Sequence, residues 1–330
     1  MRAAYIDEIG PPENIVIGEL PDPVPGPGQA LVRILAASVN PIDTYVRSGA
    51  APMDLPRPFV VGSDFAGVVA AVGPDVAQLR VGDRVWGANQ GVLGRQGTFS
   101  ELAAIDAKWL YPLPARVAEE QAAALALVGI TAHLGLVEEI DLQPGETIVV
   151  NGGSGAVGST VIQMAKALGA QVIATTSSES KAATCRDLGA DHTIDYRTEN
   201  VPERVRQIVP DGAQAWWETS REPNFDAAVA ALGLYGRLVL MAGRAARPEF
   251  PVGPFYTRCC RMYGFAMFLV PAEAQRRAAL RINDWLAAGA LWAPIDRVAQ
   301  LDDAAELHRL QEQNTLHGAA AVRGKLVVKM

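Results

Sequence analysis

The stretch Thr147-Ile-Val-Val-Asn-Gly-Gly-Ser-Gly-Ala-Val-Gly158 decides the fold. Its first four residues are a β-branched run suited to a buried strand, and the Ala/Leu-rich segment Ala156–Leu168 that follows has the composition of a helix. Strand, glycine-rich turn and helix, in that order, form the context of a dinucleotide-binding turn. Glycines let the backbone bend sharply and approach a pyrophosphate, and the helix N-terminus offers free N–H groups with a partial positive charge. Two spacings of the fingerprint overlap here, Gly153-x-Gly155-x-x-Gly158 and Gly152-x-x-Gly155-x-x-Gly158. A strand-to-helix turn with only a structural purpose is the competing reading.

The next strand, Gln171–Thr175, narrows the choice of dinucleotide. A site selective for NAD usually ends that strand in Asp or Glu, which binds the ribose hydroxyls. Here it ends Ala174-Thr-Thr-Ser-Ser178, small and neutral. A carboxylate would repel a 2′-phosphate, and its absence leaves room for one. Lys181, one turn into the following helix, supplies a point charge. These residues predict NADPH rather than NADH. Glu179 opposes that reading if its side chain turns inward, and a solvated Lys181 on a helix face is the plain alternative.

From Glu146 to about Phe265 strands and helices alternate. Ser178–Leu188, Asn200–Val209 and Phe225–Leu232 read as helices, and His192–Ile194, Ala213–Trp217 and Arg237–Met241 as strands. Such alternation predicts right-handed βαβ units around a parallel sheet. The first third differs. Ala30–Ala37, Ser63–Val72 and Arg84–Val85 are strand candidates, and Pro21–Gly28 is a Pro/Gly-rich connection, a pattern that predicts a compact all-β module. Ala118–Glu139 reads as one helix or two abutting ones, Glu273–Ala287 as a helix and Lys325–Val328 as a closing strand. The expected fold is α/β: a Rossmann doubly wound parallel sheet at 124–265, inserted in a β-rich domain made of 1–123 and 266–330.

Composition excludes several function classes. The 330 residues are 49% hydrophobic and 20% charged, ordinary for a globular chain, and a length above about 300 predicts two domains. A net charge of −7 gives no general attraction for polyanions, so no nucleic-acid partner is expected. Three cysteines do not make a disulfide framework and fit a reducing compartment. MRAAYIDEIG carries charge where a signal peptide needs an apolar run, and no uninterrupted apolar run reaches ~18 residues. The expected setting is cytoplasmic, with no membrane partner.

Further segments carry a family resemblance. These are Ala37-Ser-Val-Asn-Pro-Ile-Asp-Thr-Tyr-Val-Arg-Ser-Gly49, Gly62-Ser-Asp-Phe-Ala-Gly67, Val81-Gly-Asp-Arg-Val85 and Gly97-Thr-Phe-Ser-Glu101. Gly129-Ile-Thr-Ala-His133, Lys166-Ala-Leu-Gly-Ala170, Leu188-Gly-Ala-Asp191 and Gly324-Lys-Leu-Val-Val328 follow in order. Together they resemble the medium-chain dehydrogenase/reductase superfamily, in its zinc-free quinone oxidoreductase (zeta-crystallin-like) branch.

The resemblance implies a GroES-like domain joined to a Rossmann domain, a homodimer or homotetramer, and NADPH-dependent reduction of a small-molecule quinone or α,β-unsaturated carbonyl compound. Position by position, it puts Pro41, Ile42, Asp43 and Thr44, with Tyr45, at the nicotinamide end of the cofactor, and Thr131 nearby. It puts Gly152, Ser154, Gly155, Ala156, Val157 and Gly158 at the pyrophosphate, and Thr176, Ser177, Lys181 and Tyr196 around the 2′-phosphate. Glu218 and Thr219, then Met241, Ala242, Gly243 and Arg244, and finally Phe265 would line the remaining groove. Pro41, Trp216-Trp217-Glu218 and Arg244 depart from the usual family residues and bear on substrate shape.

In zinc-dependent relatives the catalytic ligands would fall at Asn40, Ser63 and about Leu127, none of which supplies thiolate or imidazole, and Gly87–Thr98 contains no cysteine. His133, His192, His308 and His317 are scattered without ligand spacing and read as surface or hydrogen-bonded residues; Cys259-Cys260 reads as structural. No metal is expected. Without a Lewis acid, alcohol oxidation lacks its activating group, whereas an electron-poor acceptor needs only hydrogen bonds to its developing oxyanion. Asn40 and Tyr45 are the candidates for that work, Asn40 as a donor to the substrate oxygen and Tyr45 as a hydrogen-bond or proton donor. The alternatives are an Asn-Pro turn in which Asp43 caps a helix, and a Tyr45 that packs under the cofactor. An enoyl-thioester reductase, or an NADPH-sensing or RNA-binding crystallin-like protein, are the other functions considered.

Overall fold

Thr147–Asn151 forms a central strand of a six-stranded parallel sheet, as its β-branched run predicts. The computed structural model describes residues 1–316 and 322–330. They divide into two compact units, Met1–Leu127 with Pro271–Met330, and Val128–Val270.

In the unit Val128–Val270 the strands lie in the order His192–Asp195, Gln171–Thr176, Thr147–Asn151, Ala213–Glu218, Leu232–Leu240, Arg261–Gly264. All adjacent pairs are parallel. Strand order reverses between Thr147–Asn151 and Ala213–Glu218, and open α/β sheets bind ligands beyond the carboxyl ends of the strands at such a reversal. Ile148, Val149, Val150, Val172, Ile173 and Ala174 are fully buried, which is why these strands read as continuous apolar runs rather than alternating ones.

Side-chain caps set the helix starts. Ser178 accepts the Lys181 N–H at 3.4 Å ahead of Glu179–Asp187. Asn200 accepts the Glu203 N–H at 3.3 Å ahead of Val201–Ile208, and Asn224 the Ala227 N–H at 2.9 Å ahead of Phe225–Ala231. Each cap stabilises its helix by about 1 kcal/mol. By contrast, Ala156–Ala167 begins at Gly155 with no side-chain cap. The helix Glu119–His133 continues into a π-helical turn, Leu134–Glu139; this segment is apolar enough to span a membrane, yet it is mostly buried inside the fold.

The other unit holds a seven-stranded sheet in the order Ile295–Gln300, Lys325–Lys329, Gln29–Val39, Asp64–Val72, Arg84–Gly87, Tyr111–Pro112, with Leu102–Asp106 also paired to Gln29–Val39. A three-stranded sheet joins Val16–Glu19, Arg2–Ile6 and Phe59–Val60. The first third is not purely β, because Pro41–Ser48 is a helix. Pro41 occupies its first turn, where the missing N–H costs no hydrogen bond, and the Asp43 carboxylate accepts the Asn40 N–H at 2.7 Å. Gly49, at φ 79°, ends the helix in the left-handed conformation glycine tolerates. Asn40-Pro41 therefore opens a helix that Asp43 caps, the alternative weighed above.

Arg47 on this helix is fully buried and pairs with Glu312 at 2.7 Å on a helix absent from the expectation, Ala304–Leu316. His308 on that second helix is also fully buried, edge-on to Phe99 at 5.8 Å between ring centroids. Neither of its ring nitrogens has a hydrogen-bond partner among the described residues, contrary to the reading of a surface or bonded histidine. His317 lies outside the described residues. Burial, with the Arg47 charge adding, pushes the His308 pKa down to about 3 from 6.5. The folded state holds the ring neutral while the unfolded chain takes up a proton below 6.5, so stability falls as pH drops from about 6.5 towards 3.

Replacing His308 by Leu should therefore flatten the acid limb of the stability curve. In urea unfolding at pH 8 and pH 5, the wild type should lose about 2 kcal/mol more between the two pH values than His308→Leu. Equal losses would show that His308 does not titrate on unfolding.

Candidate functional site

Asn151 ends the first strand of the parallel sheet and fastens it to both neighbours. Its amide nitrogen donates to the Glu218 carboxylate at 2.7 Å, its amide oxygen accepts the Thr175 hydroxyl at 2.5 Å, and its backbone carbonyl accepts the Thr219 hydroxyl at 2.5 Å. The Thr175 hydroxyl in turn accepts the Gly152 N–H at 3.1 Å. Glu218 also accepts Trp216 Nε1 at 3.1 Å and the Ser220 N–H at 2.6 Å. Burial pushes its pKa up and these donors pull it back.

This base fixes the glycine turn. Gly152 has φ 81°, and a β-carbon on it would press into the Thr219 hydroxyl. A β-carbon on Gly158 would press into the Gly152 carbonyl, so no side chain fits between turn and helix there. Gly155 is different: its φ is −74°, and a β-carbon would sit an ordinary 3.4 Å from the Gly152 oxygen. The fold itself does not require that glycine. The first intrahelical bond runs from Ser159 N–H to Gly155, which leaves the N–H groups of Ala156, Val157 and Gly158 ahead of it, together with the positive end of the helix dipole. A glycine the fold does not need, before an uncapped helix start, fits a pyrophosphate.

The end of the second strand fits the 2′-phosphate in the same way. Lys181 Nζ donates to the Ser177 hydroxyl at 3.1 Å, and the Tyr196 N–H donates to the Thr176 carbonyl at 3.2 Å, so Thr176, Ser177, Lys181 and Tyr196 come together. The Thr176 hydroxyl is buried with no partner among the described residues. Glu179, the carboxylate that opposed NADPH, is held by the Arg186 guanidinium, with its side chain 82% exposed. It faces outward. Thr219 follows the fourth strand, Met241, Ala242, Gly243 and Arg244 the fifth, and Phe265 the sixth. The expected cofactor residues of this unit thus lie at the carboxyl ends of its strands, except Thr131, which is buried on the helix Glu119–His133. Arg244 is exposed, and Phe265 half-buried.

In the other unit the helix Pro41–Ser48 begins above a buried charge network. Asn40 Nδ2 donates to Asp64 at 2.7 Å, and Asn40 Oδ1 accepts Lys325 Nζ at 2.6 Å. Asp64 also accepts the Ser38 hydroxyl at 2.8 Å and the Leu127 N–H at 3.0 Å, and lies 3.5 Å from Lys325 Nζ. Lys325 donates further to the Val39 carbonyl at 3.1 Å, and the Ser63 hydroxyl donates to Asp43. Asn40 is fully buried and both ends of its amide are engaged in the fold, so it does not present a donor to a substrate. Asp43 is likewise taken up by Ser63 and the Asn40 N–H, and the Thr44 hydroxyl by the Pro41 carbonyl at 2.8 Å. Of the residues expected on this helix, Pro41, Ile42 and Tyr45 keep accessible surface beyond their interior contacts.

Burial pushes Asp43 up to about 7. It pushes Asp64 up, opposed first by Lys325, and Lys325 down, opposed first by Asp64. Four donors around Asp64 and three acceptors around Lys325 fit the ionised pair, so bonding counters the burial. Sequence reading missed Ser38, Asp64 and Lys325 as a group. The available signal was a polar residue at the edge of an apolar strand run, in Ala36-Ala-Ser-Val39, Ser63-Asp-Phe65 and Lys325-Leu-Val-Val328. Among the described residues no group of three His, Cys, Asp or Glu side chains is placed to hold a metal ion.

Two family models match the chain: an alcohol dehydrogenase GroES-like domain over residues 26–115 and a zinc-binding dehydrogenase domain over 156–282. A quinone oxidoreductase of Pseudomonas aeruginosa is 41% identical over 228 residues, 66% of this chain and 67% of that protein. A 2-haloacrylate reductase of Burkholderia sp. is 38% identical over 217 residues, 63% of this chain and 62% of that protein. Among solved structures, an NAD-dependent alcohol dehydrogenase superposes over 100% of both chains with TM-score 0.90 and 32% identity. The Escherichia coli quinone oxidoreductase complexed with NADPH does so with TM-score 0.86 and 26% identity, again over 100% of both chains.

The two glycines should separate ligand approach from backbone packing. Gly155→Ala should leave the unfolding midpoint unchanged yet weaken dinucleotide binding, measured by calorimetry, by at least about tenfold, or about 1.4 kcal/mol. Gly158→Ala should lower stability itself by about 1–3 kcal/mol. Wild-type affinity in Gly155→Ala would mean that the pyrophosphate does not approach this turn.

Proposed function

This chain belongs to the quinone oxidoreductase branch of the medium-chain dehydrogenase/reductase superfamily, and we propose that it uses NADPH to reduce a quinone or an α,β-unsaturated carbonyl compound without a metal. It is an oxidoreductase with a nicotinamide cofactor. The observation that carries NADPH over NADH is the end of the second strand: Lys181 donates to Ser177, Tyr196 bonds the Thr176 carbonyl, and Arg186 holds the helix-start carboxylate Glu179 outward. A dianionic phosphate at that point gains an ammonium and hydroxyl donors, and the carboxylate that ends the adjacent strand, Asp195, is paired with Arg197.

When bound, the cofactor supplies a hydride. The chain's own residues bind and orient: the N–H groups after Gly155 hold the pyrophosphate, and Ser177, Lys181 and Tyr196 hold the 2′-phosphate. Tyr45, half-buried on the helix Pro41–Ser48, donates to the acceptor oxygen as negative charge develops there. The reading without metal rests on residue identity. Asn40, Ser63 and the Leu127 N–H turn towards Asp64, Asp43 and Lys325, and none offers thiolate or imidazole. Reduction of an activated acceptor suits such a site better than oxidation of an unactivated alcohol. The names of the haloacrylate-reducing and quinone-reducing relatives point the same way.

Consumption of NADPH should be observed with small quinones or with enones, and should persist after exhaustive chelation. Inactivity across both acceptor classes, or a strong preference for crotonyl-CoA, would overturn the assigned acceptor. Lys181→Ala should weaken NADPH binding by at least about tenfold, the scale of one charge-assisted contact, and leave NADH nearly unchanged. Equal losses for the two cofactors would remove Lys181 from the 2′-phosphate site.

A further inference from the structure

The buried network under the helix Pro41–Ser48 has no direct role in the chemistry proposed above. It joins four separate segments of the chain: Ser38 to Asp43, Ser63 with Asp64, Leu127, and Lys325 of the closing strand. Lys325 and Asp64 are both almost completely buried, and an isolated charge of either kind would be strongly disfavoured there. Asn40 bridges them through the two ends of one amide, and Asn40 is also the residue from which the helix starts. Any shift of the Lys325–Asp64 pair is therefore transmitted through a single rigid planar group to the first turn of the helix.

We propose that Lys325 and Asp64 are positioning residues for acceptor reduction: their buried ion pair, bridged by the Asn40 amide, clamps the start of the helix Pro41–Ser48 and so fixes where Tyr45 stands. The proposal rests on the assignment of Tyr45 to the acceptor oxygen. Lys325 supplies a cation that cannot diffuse away and whose three hydrogen bonds fix its direction, towards the Val39 carbonyl, the Asn40 amide oxygen and Asp64. The chain thus joins these segments with its own charges. Tyr45 lies more than one helical turn from Asn40, and a misplacement of about 1 Å at a reacting group is enough to cost a large factor in rate.

The test uses the full-length protein. Lys325→Met removes the cation that opposes the burial of Asp64, so it risks misfolding. The double variant Lys325→Met with Asp64→Asn removes both charges, and the amide oxygen that replaces the Asp64 carboxylate can still accept on one side of the network, either from Ser38 and Asn40 or from the Leu127 N–H. In the folded double variant kcat with the acceptor should fall by at least about tenfold, with its KM changed less. The dissociation constant for NADPH should stay within about twofold, because the groups assigned to its pyrophosphate and 2′-phosphate lie in the other unit. Amide hydrogen exchange in residues 41–48 should be faster than in the wild type in the absence of any substrate. A folded double variant with wild-type kcat and wild-type exchange over 41–48 would overturn the clamp. A wild type that turns over no acceptor would defeat the assigned function instead, and the exchange measurement would still decide on the clamp by itself.

Discussion

The carbonyl oxygen of Gly152 occupies the space that a β-carbon on Gly158 would need, and the geometry of the Rossmann unit's ligand edge follows from that approach. A helix can pack this close to the turn before it only where the side chain is missing. The approach is held from below by Asn151, whose amide bonds Thr175 on one neighbouring strand and Glu218 on the other. The strands around it are buried on both faces, so the turn stands on a base with little freedom to shift. What it presents is an uncapped helix start at the point where strand order reverses, and every other strand of the sheet delivers its own carboxyl end to the same edge.

The second unit meets the problem of buried polarity differently. Its helix Pro41–Ser48 is anchored at one end by an ion pair and at the other by Arg47, which reaches Gly10 at 2.9 Å and Glu312 at 2.7 Å. Buried pairs of this kind add little net stability compared with apolar packing, but removal of one partner costs about 3–5 kcal/mol. Their value is in specifying one arrangement. Asp43 and Asp64 are held apart by different donors, Ser63 and the Asn40 N–H for the first, and Ser38, Asn40 Nδ2, Leu127 and Lys325 for the second.

The parallel sheet was legible because its signals are local. The runs Thr147–Val150 and Gln171–Thr175 lie inside observed strands, and Ser178 and Asn200 mark helix starts as caps rather than as helical residues. The helix Val252–Thr257 and the edge strand Arg261–Gly264 carry no clear local signature, since both are short and follow the Pro-rich stretch Pro248-Glu-Phe-Pro251. The helix Pro41–Ser48 was visible only as a possible cap, because eight residues within a strand-rich region carry too few turns for a 3.6-residue period. Long-range pairing was the hardest feature to read. Lys325 meets Asn40 across 285 positions, and nothing in either local sequence names the other. Local sequence therefore offers Asn40 to a substrate, whereas its amide belongs to the fold.

The measurement that bears most directly on the account is the fate of the hydride. NADPH carrying deuterium at both C4 positions, incubated with the protein and an enone in ordinary water, should give a product with one deuterium on the carbon β to the carbonyl and a solvent proton on the α carbon. A reduced product without deuterium would contradict direct transfer from a dinucleotide seated on the Gly152–Gly158 turn.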